Sequence, residues 1–171
     1  VMSERAKRNV LVPDHELLRR LHCTAGEVEV EVVFYPRADF GKRDVRFRHL
    51  GSLGLQFEAG NGVYYLRSTV PLKVADGRVT ARLVLQRGQT VDFSFTYSEV
   101  SPVVLPPLGD WTRHRIDETI DWWTKWAACA RYTGPHRAAV VRSALTLKLL
   151  TYAPSGAVIA AATTSLPEKI G

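Results

Sequence analysis

The feature that most constrains this chain is a period-two alternation that recurs between residues 27 and 98, interrupted by short glycine-containing turns. Val28, Val30, Val32 and Phe34 fall on one side of an extended segment while Glu27, Glu29 and Glu31 fall on the other, the pattern of a strand with one wet face. Val45 and Phe47 oppose Arg46 and Arg48 in the next run, and Leu53, Leu55 and Phe57 alternate before Asn61-Gly62 and a return through Val63 to Arg67. Val70 to Val74 meets Asp76-Gly77, after which Val79, Ala81, Leu83 and Leu85 share a face. Beyond Arg87-Gly88, Val91, Phe93, Phe95 and Tyr97 alternate with Asp92, Ser94 and Thr96. Asn-Gly and Asp-Gly supply the positive φ angles of tight hairpin turns. About seven short strands with no helix between them predict an antiparallel meander over about Glu27 to Val100 that closes as a β-sandwich.

The flanks read differently. His15 to Leu21 is expected to form a short helix or an irregular edge. After Pro102, Pro106 and Pro107 the β pattern stops, Asp110 or Thr112 can cap a helix, and the stretch to Arg131 holds all four tryptophans. Ile116, Ile120, Trp123 and Ala127 recur at helical spacing, which assigns the tryptophans to core packing rather than to a sugar-stacking platform. Gly134-Pro135 interrupts this helix, and His136 to Tyr152 reads as a second one, apolar almost all round and therefore expected to be covered on several sides. Contiguous apolar surface left uncovered becomes an interface, so self-association through this helix is expected. The domain reading is a partial sandwich over 1–108, followed by helices over 109–171.

The formal net charge of +6 raises the question of a nucleic-acid partner. Lysine and arginine are scattered among Glu27, Glu29, Glu31, Asp39 and Asp44, as on a sandwich surface, and no nucleic-acid partner is expected. No stretch approaches the roughly 18 uninterrupted apolar residues of a membrane span, and Val1 to Arg8 is charged. No membrane partner and a cytoplasmic location are expected. Cys23 and Cys129 are read as buried thiols.

Chemistry is hard to find. Asp117 and Asp121 share a helix face with Arg113 and Lys125 at i, i+4 spacing, a surface charge ladder. Ser143 lacks the Gly-x-Ser-x-Gly turn of a hydrolase nucleophile, the five histidines are dispersed, and there is no glycine-rich phosphate loop. No metal site and no cofactor are predicted.

One segment is specific. Val141-Arg142-Ser143-Ala144-Leu145-Thr146-Leu147-Lys148-Leu149-Leu150-Thr151-Tyr152, followed by Ala160 to Glu168, closely resembles bacterial glycoside hydrolase family 15 proteins, the glucoamylase and trehalase-like enzymes. In that family such a segment ends the first inner barrel helix and enters the first active-site loop. Arg19-Arg20 with Cys23, Gly26-Glu27-Val28 and Pro36-Arg37-Ala38-Asp39-Phe40-Gly41 resemble the family's amino-terminal sandwich, and Trp123 with Trp126 its linker helix. The resemblance implies a mainly β architecture, part of a super-sandwich, followed by two helices from the start of an (α/α)6 barrel. It implies hydrolysis of α-linked glucosides, trehalose or maltooligosaccharides, by inversion, with a glucoside substrate for the complete enzyme.

The family's catalytic glutamates lie downstream of the position of Gly171, and its first sandwich strands precede that of Val1. A non-catalytic, inactive portion of such an enzyme is therefore expected. The resemblance places Thr163, Thr164, Ser165 and Glu168 nearest the substrate pocket, as candidate substrate-binding residues. It assigns no catalytic residue. The alternative is a stand-alone carbohydrate- or protein-binding sandwich module, with Tyr64, Tyr65 or Trp111 stacking on sugar.

Overall fold

The computed structural model describes residues 15–99 and 103–159. It divides into two compact units, one up to residue 118 and one from residue 119. Among its described residues the first unit contains eight strands: β1 (His15–His22), β2 (Glu27–Phe34), β3 (Arg48–His49), β4 (Leu55–Ala59), β5 (Gly62–Ser68), β6 (Lys73–Ala75), β7 (Arg78–Gln86) and β8 (Thr90–Ser98). They form a five-stranded sheet in the order β1-β8-β5-β4-β3 and a three-stranded sheet in the order β2-β7-β6. Every pairing is antiparallel.

The inner faces of the two sheets meet in two apolar clusters. Cys23, Leu85, Val91 and Phe93 form one, with Val30 and Val32 of β2 packed against it. Leu55, Leu66 and Val79 form the other, joined by Phe34 and Phe95. Each cluster draws on both sheets, so the expected sandwich is the observed architecture. Burial of this apolar area is what holds the sheets face to face.

The strand path corrects the expected meander. Of the three expected glycine turns, two make hairpins, β4–β5 and β6–β7. Arg87-Gly88 does not make a third, because β7 and β8 lie in different sheets and the turn carries the chain across the sandwich. A parallel crossing joins β1 to β2 through residues 23–26, and the two connectors are bonded to each other. Gly88 N–H donates to the Cys23 carbonyl at 2.8 Å, Cys23 N–H to that of Gln89 at 3.0 Å, and Arg87 N–H to that of Gly26 at 2.9 Å.

His15 to Leu21 is also corrected: it is neither helix nor irregular edge but the edge strand β1, paired with β8 over eight residues from His15↔Tyr97 to His22↔Thr90. The second expected strand shrinks to Arg48–His49, and Gly51–Leu53 is a 3-10 turn.

The β4–β5 turn sits one residue earlier than Asn61-Gly62 suggests. Ala59 pairs with Gly62, which leaves Gly60-Asn61 as the loop, and Gly60 takes the positive φ of 61°. Gly62 is needed in the strand itself, since a Cβ there would lie 2.1 Å from the Tyr97 ring. In the β6–β7 turn both Asp76 and Gly77 have positive φ, as the sequence predicts.

The two expected helices are present as α1 (Asp110–Ala128) and α2 (Arg137–Leu149). On α1 the charge ladder is real at one rung, Lys125 to Asp121 at 2.6 Å, and His114 lies 3.3 Å from Glu118. The apolar covering expected of the helices is not found among the described residues: Ile120 is 58% exposed, Leu147 58% and Leu149 70%. Cys23 is buried as expected, whereas Cys129 is exposed at the end of α1. No helix among the described residues is long and apolar enough to cross a membrane.

Candidate functional site

The four candidate substrate-binding residues, Thr163, Thr164, Ser165 and Glu168, lie outside the described residues. The polar structure that can be described is a layer on the outer face of the five-stranded sheet. The alternation in β8 gives Asp92, Ser94 and Thr96 a face opposite Phe93 and Phe95, and that face is covered rather than wet: the three residues are 3%, 0% and 1% exposed. Cross-strand pairing places Glu16 beside Thr96 and Arg20 beside Asp92, so the inward-turned residues of β1 are charged.

These charges are matched in pairs. Arg20 forms a bidentate fork on Asp92, Nε to Oδ1 at 2.6 Å and Nη2 to Oδ2 at 2.7 Å. The same residues clamp the segment leading into α1: Arg20 Nη2 donates to the Gly109 carbonyl at 2.8 Å, and Gly109 N–H donates to Asp92 Oδ2 at 3.2 Å. The bond to Asp92 holds the Arg20 guanidinium above its ordinary pKa, with burial opposing it. Glu16 accepts from Ser94 Oγ at 2.6 Å on one oxygen and from Arg115 of α1 on the other. Arg67 donates to the carbonyls of Leu105 and Pro106, and burial pushes its guanidinium pKa down. Arg67 Nε, Trp111 Nε1 and Thr112 Oγ1 are buried without a hydrogen-bond partner among the described residues.

Chemically this layer is a fastening. A glycosidic acid and base need two carboxyl groups flanking an open space for the sugar and, in an inverting enzyme, a water. The Glu16 and Asp92 side chains are 2% and 4% exposed, and each already has an arginine on it. The other candidates stand in water: Glu27, Glu29 and Glu31 are exposed, and Glu31 pairs with Arg82 at 3.1 Å. Among the described residues no cluster of histidine, cysteine, aspartate or glutamate has the arrangement of a metal site.

Sugar stacking at Tyr64, Tyr65 or Trp111 has little to work with. The Tyr64 ring is stacked on Phe57 at 4.8 Å and 7°, and on Phe95 at 5.7 Å and 14°. The Tyr65 hydroxyl receives a hydrogen bond from Gln56 at 3.0 Å, and the Trp111 indole nitrogen is buried. The polar layer is not legible in the sequence, because nothing in β8 alone distinguishes a solvated Asp-Ser-Thr face from a covered one. The inward charges of β1, Glu16 and Arg20, were the available signal.

Comparison with known proteins adds what geometry does not. No family model matches the chain, and no solved structure does. Among curated proteins, the chain is 32% identical over 163 residues, 91% of its length, to the trehalase of Mycobacterium tuberculosis, and 32% identical over 164 residues to that of Mycolicibacterium smegmatis. A 57-residue stretch is 53% identical to the trehalase of Thermoplasma volcanium. The chain spans about a quarter of the mycobacterial proteins, 24% of each, and 9% of the Thermoplasma volcanium one.

Proposed function

We propose, for a chain that is a relative of the trehalases and so of the glucoamylase-like glycoside hydrolases, that it supplies the sandwich and leading helices of an enzyme hydrolysing α-linked glucosides, with trehalose or short maltooligosaccharides as substrate. The observation that carries this reading is identity spread over 91% of the chain, from the sandwich into the helices. A shared sandwich architecture alone would carry no function.

The described residues have a supporting part in this reading. Inversion takes one carboxylic acid to protonate the leaving oxygen and one carboxylate to activate water. Glu16 and Asp92 are held by Arg115 and Arg20 and serve as fasteners of the segment entering α1. In this reading the acid and the base are supplied by residues other than the described ones, and the part left to the described residues is structural. No cofactor enters this chemistry.

The test is glucose release from trehalose and from maltotriose by the purified chain beside a mycobacterial trehalase. No release above background by the chain is expected. Steady hydrolysis, lost in Glu16→Gln or Asp92→Asn variants that still fold, would overturn the assignment of both carboxylates to structure.

A further inference from the structure

The two sheets end differently on their two sides. One end of each strand order is a short strand, β3 with two residues and β6 with three, and so little edge is a poor template for another chain. The other ends are β1 and β2, with 8 residues each. β2 has none of the features that blunt an edge. It contains no proline and no lysine, and its register with β7 runs without a bulge from Glu27↔Gln86 to Phe34↔Val79. Its core-side residues, Val28, Val30, Val32 and Phe34, are all apolar.

The ladder shows which backbone groups this edge presents. Arg87 N–H donates to the Gly26 carbonyl at 2.9 Å, one step before the pair Glu27↔Gln86. Bonded and non-bonded pairs alternate in an antiparallel ladder, so bonding to β7 falls on Val28, Val30, Val32 and Phe34. The N–H and C=O groups of Glu27, Glu29, Glu31 and Val33 therefore point out of the sheet, and no strand among the described residues meets them. Apolar side chains are open on the same edge, with Val28 44% and Val33 55% exposed.

This edge is complementary to itself. Around a two-fold axis at Glu31, two copies of β2 run antiparallel and overlap over all of the strand except Glu27. On the core side Val28 then faces Phe34 and Val30 faces Val32, and on the outer side Glu29 faces Val33, each pair repeated by the symmetry. Residues with outward N–H and C=O groups fall opposite one another, as a bonded pair requires. Glu31 alone meets its own kind, and each Glu31 already has Arg82 at 3.1 Å, so the row of four charges is neutral. An axis at Val30 would set Glu29 against Glu31 twice, and like charges directly opposite are destabilising. An axis at Val32 would leave Glu27, Val28 and Glu29 outside the overlap. We propose that the chain self-associates through β2, joining the three-stranded sheets of two copies into one continuous sheet.

Sedimentation velocity of the purified chain over a range of concentrations tests this without involving the hydrolytic reading. A reversible dimer is expected. Val33 is exposed, so a charge there leaves the fold intact, as far-UV circular dichroism would verify. Val33→Glu sets a like charge against Glu29 on both sides of the axis and weakens the dimer about five-fold, whereas Val33→Lys faces the same Glu29 and strengthens it by a similar factor. With Cys129→Ser in place, mild oxidation joins Glu31→Cys across the axis and leaves Glu27→Cys unjoined, because a bonded pair brings its Cα atoms to about 5.5 Å, within disulfide reach. A monomer at high micromolar concentration would overturn the proposal; slow exchange of its Glu29 and Glu31 amides would then assign the edge to residues of the same chain. A dimer indifferent to both charges at Val33 and not joined at Glu31 would also overturn it, and would place the contact on another surface.

Discussion

Removing the Asp92 carboxylate is the sharpest perturbation of the fastening between the large sheet and the start of α1. Its two oxygens receive hydrogen bonds at 2.6 and 2.7 Å from Arg20 and at 3.2 Å from Gly109 N–H. In Asp92→Ala all of these are lost, and Arg20 is left as a cation whose side chain is 18% exposed. Breaking a buried ion pair from one side costs about 3–5 kcal/mol. Arg20 keeps some access to water and its bond to the Gly109 carbonyl, so the low end, about 3 kcal/mol, is expected. Replacing both residues by apolar ones, Arg20→Met with Asp92→Leu, removes the stranded charge and brings the loss to about 1 kcal/mol or less. The exposed pair Arg82–Glu31, at 3.1 Å, serves as the control, because Glu31→Ala should cost below about 1 kcal/mol. Urea unfolding followed by far-UV circular dichroism measures all of these, with each loss read from the midpoint and slope. Tryptophan fluorescence is less suitable, since all four tryptophans lie in α1. A loss below about 1 kcal/mol for Asp92→Ala would refute the reasoning, because a carboxylate so easily spared is not fastening anything.

Three further outcomes follow from the same structure. Leu55, 2% exposed in the inter-sheet cluster, should lose about 3 kcal/mol on replacement by alanine, measured in the same urea series. The hydrogen bond to Glu99 raises the Tyr97 phenol to about 12, so one of the six tyrosines should titrate late in ultraviolet absorbance and disappear from that titration in Tyr97→Phe. Because the folded value is the higher one, this group favours the folded chain fully below its ordinary pKa of 10.0, and the benefit fades as pH climbs through about 12. A thiol reagent should modify Cys129 promptly in the folded protein and Cys23 only on unfolding; equal rates would contradict their different burial.

How much could be read beforehand depended on whether one strand carried its own signal. In β2, β7 and β8 apolar residues alternate toward the core, and the turn at Asp76-Gly77 has the left-handed residues it needs, so these were legible. The β1 strand was not. Its covered side holds Glu16 and Arg20, whose burial makes sense only once Asp92 and Arg115 are known to meet them. The turn at Arg87-Gly88 looks like a hairpin locally, and only the bonds to Cys23 and Gly26 reveal an arch between sheets. Gly62 marked a turn correctly but served the strand, for a reason that lies in the Tyr97 ring. The candidate substrate residues Thr163, Thr164, Ser165 and Glu168 rest on family resemblance alone and lie outside the described residues.

The most direct test of the account is to transplant this chain into the Mycolicibacterium smegmatis trehalase in place of the 164 residues it matches, and to measure trehalose hydrolysis by the chimera. The account predicts a folded chimera that hydrolyses trehalose, with the Asp92→Ala form losing thermal stability. A chimera that folds with intact secondary structure yet hydrolyses neither trehalose nor maltotriose would contradict the assignment of this chain to such an enzyme.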